Sequence, residues 1–492
     1  MKAIAGSIIV LFIGGALWFH ATDTTVTDIA HVLRERVPYA GRMLHAYRVA
    51  ARKFADPFPT TGRLEVGGSE QSSTTAAGPS SSGSGCGSAT GMNVNMNGFR
   101  PFPANDPLNT DISHARVDPY SKAQICAVDT QPPCGHNLWP HPEFGSSLSG
   151  GGIPYYVVDN SQAMVNVKLG TYDSSSDPSD TGNFPAPMPP NGAIIEGRGA
   201  GDAHAIVINK DTCWAFELYH ANYNPSTNTW RADFGAVWDL LNDEQRPYDW
   251  TSADAAGLPI FPLLVRYDEA ASGQINHAIR ATFAISRAAY VPPATHYTTT
   301  GAGMRPPWPQ MGMRMRLRAG YDITGRGKFS PVVQGILKAI QTYGVIVADN
   351  GGSGTGLMIT GAPDPRWDDE MLHDQLSKVR LSDFEIVTNN PDGSPMTSYG
   401  PEGNHALPHG AGPKIRHFGA GQASVPSGGS TTLSWEAINS SYFVISPDIG
   451  PVRGNSVEVK PTHSTKYTLF ATNAFGRTTA STKVKVSSKE SR

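Results

Sequence analysis

The stretch 203-AHAIVINKDTCWAFELY-219 sets the fold class. Ala203–Asn209 and Cys213–Tyr219 are two apolar-rich runs separated only by Lys210-Asp211-Thr212, the spacing of a β-hairpin. With a period of two, Cys213, Ala215, Glu217 and Tyr219 share one face, and Trp214, Phe216 and Leu218 share the other. Runs of the same kind recur at Pro154–Val158, Met164–Leu169, Ile275–Ile285, Arg314–Ala319, Val345–Ala348 and Leu357–Thr360. In Arg314–Ala319, Arg alternates with Met and Leu, which predicts one wet face and one packed face. Two helices are predicted. Pro331–Tyr343 has Ser330 as N-cap, Pro at its first position, Gly344 past its end, and Val333, Ile336, Leu337 and Ile340 along one side. Asp368–Val379 starts with acidic residues. The expectation is a mainly β chain: a β-sandwich or jelly-roll-like core with one or two covering helices.

Composition points the same way. Charged residues make up 16% of the 492 residues, against about 25% in an ordinary soluble domain. The chain carries 52 Gly and 39 Pro, which excludes a helical bundle or coiled coil. Its length suits about two to four domains of roughly 100–200 residues. With a net charge of −3, nothing suggests a phosphate-binding surface, and no nucleic-acid partner is expected. Hydrophobic content of 39%, with 9 Trp, 17 Tyr and 18 Phe, is enough for a packed core and argues against disorder.

Four segments follow. Residues 1–22 hold the apolar run 3-AIAGSIIVLFIGGALWF-19 behind Lys2, a signal peptide or an uncleaved signal anchor. Arginines at 34, 36, 42, 48 and 52 follow it, so the charge rule does not orient it. Residues 23–94 read as a stalk, with an amphipathic helix at 26–54 that either stays solvated or meets anionic lipid, and a Gly/Ser-rich tether at 67–88. Residues 95–415 form the β-rich core domain and residues 416–492 a small C-terminal β module. Cys86, Cys126, Cys134 and Cys213 show no zinc-type or haem-type spacing. Cys126 and Cys134 bracket a short loop that a disulfide can close in an oxidising compartment, and Cys213 is either buried or paired with Cys86.

The C-terminal module has evenly spaced short strands at Thr431–Trp435, Tyr442–Ile445, Ser456–Val459, Lys466–Thr472 and Thr479–Val486. Its pieces SGGSTTLSW, ISPDIGPV, VEVKP, TKYTLFATNAFG and TKVKV resemble the small bacterial immunoglobulin-like modules of exported proteins. That resemblance implies a β-sandwich and export, and leaves function open.

Chemistry concentrates in 250-WTSADAAGLPIFPLLVRYDEAASGQINHAIR-280. The pieces WTSADAAGLPI, VRYDE and HAIR resemble a signature of secreted bacterial proteins of unassigned function, over residues 150–390. The resemblance implies a secreted, β-rich protein and carries no catalytic residues. The residues themselves offer Asp254, Glu269, Glu217 and His204 as candidate catalytic groups, and Arg266, His277, Arg280 and His296 as candidate substrate-binding groups. Two of the acids can flank a glycosidic bond, with Glu217 partnered by Asp254 or Glu269. Alternatively, His204 or His296 can take a proton next to a uronic carboxylate that the arginines neutralise. Each has a structural reading too: Glu217 as a solvated strand carboxylate, His277 as a hydrogen-bonded core histidine, and Arg266 with Glu269 as an ion pair. Histidines 204, 277 and 296 lack HxH or HxxxH spacing, so neither a metal nor a cofactor is expected. Asp349-Asn350-Gly351-Gly352 reads as a tight turn. There is no GxSxG elbow, P-loop or HExxH motif. The expected function is an exported carbohydrate-active protein, a glycoside hydrolase or polysaccharide lyase. A non-catalytic, adhesin-like surface or extracellular protein is the alternative. Either meets a polysaccharide or cell-surface glycan, with a membrane contact through the N-terminal segment. Convergence of Asp254, Glu269, His204 and Glu217 in one cleft is the mark of the enzyme reading.

Overall fold

The computed structural model describes residues 85–487 apart from 129–137, 148–150, 171–182, 243–244, 300–306, 326–327 and 352–355. It also places Leu11–Phe12 antiparallel to Gly15–Ala16. The rest of the N-terminal apolar run, the helix at 26–54 and most of the tether lie outside the described residues. Among the described residues no helix is long and apolar enough to cross a membrane.

The hairpin forms as its spacing predicts. Ala205–Asn209 pairs antiparallel with Trp214–Tyr219, with Ala205 opposite Leu218 and Asn209 opposite Trp214. The Asn209 side chain closes the turn by accepting from the N–H groups of Asp211 and Thr212 at 3.0 and 3.1 Å. Phe234–Asp239 adds to one side, and Tyr155–Val158 followed by Gly91–Met92 to the other, giving a five-stranded sheet. Both of its faces are covered. Val207, Trp214, Phe216 and Leu218 share an apolar cluster with Val167, Trp230 and Ala232 of a four-stranded sheet. Ile206, Ile208 and Ala215 face the main core.

That core is shared with a six-stranded sheet in the order Phe384–Val387, Arg314–Leu317, Val345–Asn350, Ile279–Phe283, Met358–Thr360, His141–Glu143. The described α-helices are α1 (Ser121–Val128), α2 (Tyr267–Ser272), α3 (Pro331–Thr342) and α4 (Asp369–Leu376). Helix α3 follows its sequence signals: Ser330 Oγ accepts from the Val333 N–H at 3.3 Å, and Val333, Ile336, Leu337 and Ile340 are buried. Gly344 stops the helix at φ 74°, where a Cβ would collide with the Met315 carbonyl. The chain is thus mainly β, with few helices.

Three local expectations differ. The face of Arg314–Leu317 expected to be wet is largely covered: Arg314 is half-buried, and Arg316 is buried against Glu385, whose Oε1 lies 2.8 Å from its Nε. The strand expected over Ile275–Ile285 contracts to Ile279–Phe283, which leaves His277 in the segment leading from α2. Glu217 does not face solvent. It is fully buried, because the main core covers its face of the hairpin. Its Oε1 accepts from the Phe261 N–H at 2.8 Å, and its Oε2 from Ile260 N–H and Trp238 Nε1, both at 2.9 Å. Burial pushes its carboxyl up to about 7 against the pull of these donors. Glu217→Gln would aim an amide N–H at a donor, so unfolding in urea should show a loss of about 1–3 kcal/mol. An unchanged midpoint would remove Glu217 from the fold's supports.

Cys86 and Cys213 are free, buried thiols that share the Lys210 carbonyl at 3.5 and 3.7 Å. The expected Cys126–Cys134 bridge involves Cys134, which lies outside the described residues.

The C-terminal module is a two-sheet, immunoglobulin-like sandwich. Lys414–Ala420, Thr431–Ile438 and Ser456–Val459 form one sheet. Ser424–Pro426, Gly476–Ser487, Thr465–Asn473, Tyr442–Ser446 and Gly450–Val452 form the other. Leu433, Trp435, Leu469 and Val484 fill the space between them. The module is packed on the core rather than strung from it. Tyr442 and Val444 enter the apolar cluster of the four-stranded sheet. Arg453 forks onto the buried Asp239, with its Nε at 2.7 Å, and reaches the Thr212 carbonyl at 2.7 Å.

Candidate functional site

The segment Trp250–Phe261 runs as an irregular loop, tied down by hydrogen bonds within itself and to neighbouring strands. Ser252 Oγ donates to the Leu258 carbonyl at 2.6 Å, and the Ala256 N–H donates to the Ala348 carbonyl at 2.9 Å. Gly257 sits at φ 72°, where a Cβ would press on the Trp250 carbonyl and Thr295. The fixed loop then serves several partners at successive residues. The Ala253 carbonyl meets His204 Nε2 at 3.1 Å, the Asp254 carboxylate meets Arg280, and the Ala255 carbonyl meets His296 Nδ1 at 2.8 Å. Further along, the N–H groups of Ile260 and Phe261 hold Glu217.

Arg280 is the centre. Its Nε and Nη2 donate to the two oxygens of the fully buried Asp254 at 2.7 and 2.9 Å, and its Nη1 donates to Thr360 Oγ1 at 2.8 Å. Two further carboxylates stand just outside bonding range: Glu143 Oε2 is 3.8 Å from Nη1, and Asp349 Oδ2 is 4.0 Å from Nη2. Thr360 Oγ1 also bonds Glu143 Oε2 at 3.0 Å. Asp254 has no exposed side-chain surface, whereas Asp349 retains 20% and Glu143 34%, so these two open outward. Burial and the nearby Asp254 charge push Asp349 up to about 7. Burial likewise raises Glu143, against the attraction of Arg280. The charge of Asp202 pushes both in the same direction.

His204 borders this cluster. Its Nδ1 lies 2.5 Å from Glu196 Oε2 and its Nε2 faces a carbonyl, so both nitrogens meet acceptors and the ring is held as imidazolium. Burial pulls its pKa down, but the Glu196 hydrogen bond and charge win and leave it at about 9. Between its ordinary 6.5 and about 9 the folded chain keeps a proton that the unfolded chain has lost. Stability carried by this pair is therefore complete below about pH 6.5 and falls as pH rises toward 9. Glu196→Gln should flatten that fall in a series of urea titrations, and an unaltered slope would show that the pair does not carry it.

A second cluster forms elsewhere. Arg266 Nη2 bonds Glu269 Oε1 at 2.5 Å, and His277 Nε2 lies 3.3 Å from Glu269 Oε2. The His277 Nδ1 meets the Ala278 carbonyl at 2.7 Å. Burial alone would raise Glu269, but Arg266 and His277 outweigh it and hold the carboxyl low. These residues line a pocket of about 390 Å³ with Asn95, Arg100 and Tyr155.

The four proposed catalytic residues therefore do not share one cleft, so the convergence that would mark an enzyme is not met by them, and any enzymatic reading has to stand on other residues. Asp254, Arg280 and His204 come together, with His296 behind the same loop and stacked on Tyr297. Glu269, Arg266 and His277 meet in the second pocket, and Glu217 bolts the loop to the hairpin. Sequence reasoning missed Glu143, Glu196 and Thr360, and read Asp349 as part of a turn. They come from distant strands and loops, and no local motif marks them. Among the described residues no group of three or more His, Cys, Asp or Glu side chains is placed to hold a metal ion.

No family model matches the chain, and no curated protein matches it. Solved structures similar to part of it include a mutant complex of titin M10 with an obscurin-like 1 Ig domain. That match has 17% identity and a TM-score of 0.14, and covers 17% of this chain and 100% of that one. A chimeric titin Z1Z2 carrying a KLER peptide from decorin matches at 16% identity and a TM-score of 0.13, over 16% of this chain and 96% of that one. TM-scores this low carry no argument, and the immunoglobulin-like assignment rests on the two packed sheets described above.

Proposed function

We propose that the Arg280-centred site is the catalytic centre of an exported glycoside hydrolase. The observation that carries this reading is the pair Asp349 and Glu143. Two mostly buried carboxylates of raised proton affinity, each keeping some exposed surface, flank one buried guanidinium that Asp254 fixes in place. A shared guanidinium bounds their separation at about 10 Å, compatible with the roughly 5–9.5 Å of paired glycosidase carboxylates. In this reading Asp349, protonated near neutrality, delivers a proton to the departing glycosidic oxygen. Glu143 is the second carboxylate, acting on water or on the sugar carbon, and Arg280 and Asp254 are positioning residues. The choice of a glycan leans on the exported, immunoglobulin-bearing organisation expected from the sequence.

A uronate lyase fits less well. Arg280 is committed to Asp254 and Thr360, and Arg266 to Glu269, so neither guanidinium is left for a substrate carboxylate. The test is a polysaccharide panel offered to the purified full chain, read both for new reducing ends and for unsaturated products. Reducing ends that vanish in Asp349→Asn and Glu143→Gln support the hydrolase. Unsaturated products would replace it with a lyase, and saccharide binding without turnover would favour an adhesin-like protein.

A further inference from the structure

The thiols of Cys86 and Cys213 take no part in the proposed chemistry, yet they are brought together. The Cys86 Sγ lies 3.5 Å from the Lys210 carbonyl oxygen, the Cys213 Sγ lies 3.7 Å from the same oxygen, and the two thiols hydrogen-bond each other. That bond holds the Cys213 thiol below its ordinary value. The backbone adds a second observation. Cys213 closes the hairpin turn at φ 56°, in the left-handed region that favours glycine or asparagine. Its N–H donates to the Asn209 carbonyl at 2.7 Å, so the turn fixes that conformation. A side chain placed there against local preference points to a use for its sulfur. The third observation is where Cys86 sits. The Gly/Ser-rich tether ends at residue 88, and of residues 85–90 Cys86 alone is buried, at 1% exposure. Its N–H donates to the Lys210 carbonyl at 2.8 Å, and Gly85 passes so close to that carbonyl that a Cβ would collide with it. A thread of small residues has little else to bury against the core.

We infer that Cys86 and Cys213 are the two halves of a disulfide that fastens the end of the tether to the hairpin turn, closed by exchange with an external disulfide of the glutathione class. The Cys213 sulfur, as thiolate, attacks one sulfur of the external disulfide; one thiol leaves and a mixed disulfide forms. The Cys86 sulfur then gives up its proton and attacks the Cys213 sulfur, and the second thiol leaves. The chain loses two S–H bonds and gains one S–S bond, and its two electrons and two protons end on the two departing thiols. Both sulfurs are buried, so in the folded chain the exchange waits for residues 85–88 to lift from the turn. The bond joins residues far apart in sequence, the case in which a disulfide constrains the unfolded chain most. It also gathers three parts of the chain at one turn, because the Thr212 carbonyl there holds Arg453 of the C-terminal module at 2.7 Å. Nothing in this bond depends on glycan cleavage.

The test uses the full chain, refolded from urea in glutathione buffers that run from fully reduced to fully oxidised, so that burial does not limit the reagent. Free thiols are then blocked under denaturing conditions, and the cysteine peptides are read by mass spectrometry. Cys86 and Cys213 should pass together from blocked to cross-linked as the buffer becomes oxidising, and return together when the unfolded chain meets excess dithiothreitol. In the oxidised chain the amides of residues 85–92 should exchange hydrogen at least about tenfold more slowly than in the reduced chain, since opening now works against a covalent link. Cys86→Ala should abolish the slowing and leave Cys213 blocked in every buffer. Cys213→Gly, which suits φ 56°, should do the same for Cys86 without straining the turn. Cys86 and Cys213 both recovered blocked from the most oxidising buffer, or carrying glutathione, or joined instead to Cys126 or Cys134, would overturn the bond. A cross-link that leaves the exchange unchanged would overturn its role as a fastener of the tether.

Discussion

Arg280→Met is expected to destabilise the chain by about 3–5 kcal/mol, the cost of stranding a buried carboxylate without its cation. Asp254 has no surface through which water could replace the guanidinium, and both its oxygens are turned toward Arg280. Thr360 and Glu143 would lose a donor and a countercharge at the same time. Stranded in this way, the buried Asp254 side chain is better tolerated neutral than charged, so the loss should be smaller in acid than at alkaline pH. Asp254→Asn combined with Arg280→Met removes the charge that is left behind, and should recover much of the loss. Urea unfolding of the full chain checks both. A single variant that loses under about 1 kcal/mol would show that water reaches the pair, and that the loop Trp250–Phe261 is held by its other bonds alone.

How far the sequence could be read follows from what each feature depends on. The hairpin 203–219 and helix α3 were legible because their signals are local: a three-residue turn, an N-cap serine, an apolar stripe and a terminal glycine. The C-terminal sandwich was legible for the same reason, its strands alternating in and out around Trp435. Helix α2 was not, since Tyr267–Ser272 is a short, charged helix that reads as part of a polar cluster. Glu217 was misjudged because period two tells which residues share a face, and not whether that face is covered. The site divides along the same line. Asp254 and Arg280 drew attention as members of a charge-dense stretch in a charge-poor chain, and they do pair. Their neighbours Glu143, Asp349 and Thr360 arrive through strand order in the six-stranded sheet, where His141–Glu143 lies beside Met358–Thr360. Nothing in the sequence near residue 143 or 349 announces that juxtaposition.

Asp349→Asn should lower kcat/KM by about 10²–10⁴ on any glycan the chain cleaves, the contribution of a positioned general acid. Asparagine keeps the shape and the bonds available to a carbonyl oxygen but has no proton to give at the transition state. The pH profile distinguishes this from a structural effect. With Asp349 at about 7, the wild type should lose activity as pH rises above about 7, because the acid form is consumed. The residual activity of the variant should lack that limb. Folding gives a readout that needs no substrate. Between the ordinary 3.8 and about 7 the folded chain holds a proton that the unfolded chain has released, so wild-type stability should decline as pH rises through that window. Asp349→Asn should remove this decline and leave the chain no less stable at pH 7, since a carboxylate facing Asp254 has been neutralised. A variant that is inactive, unfolded and still sloped would place Asp349 among the supports of the sheet. Loss of turnover with a flattened stability profile would place it at the reacting bond.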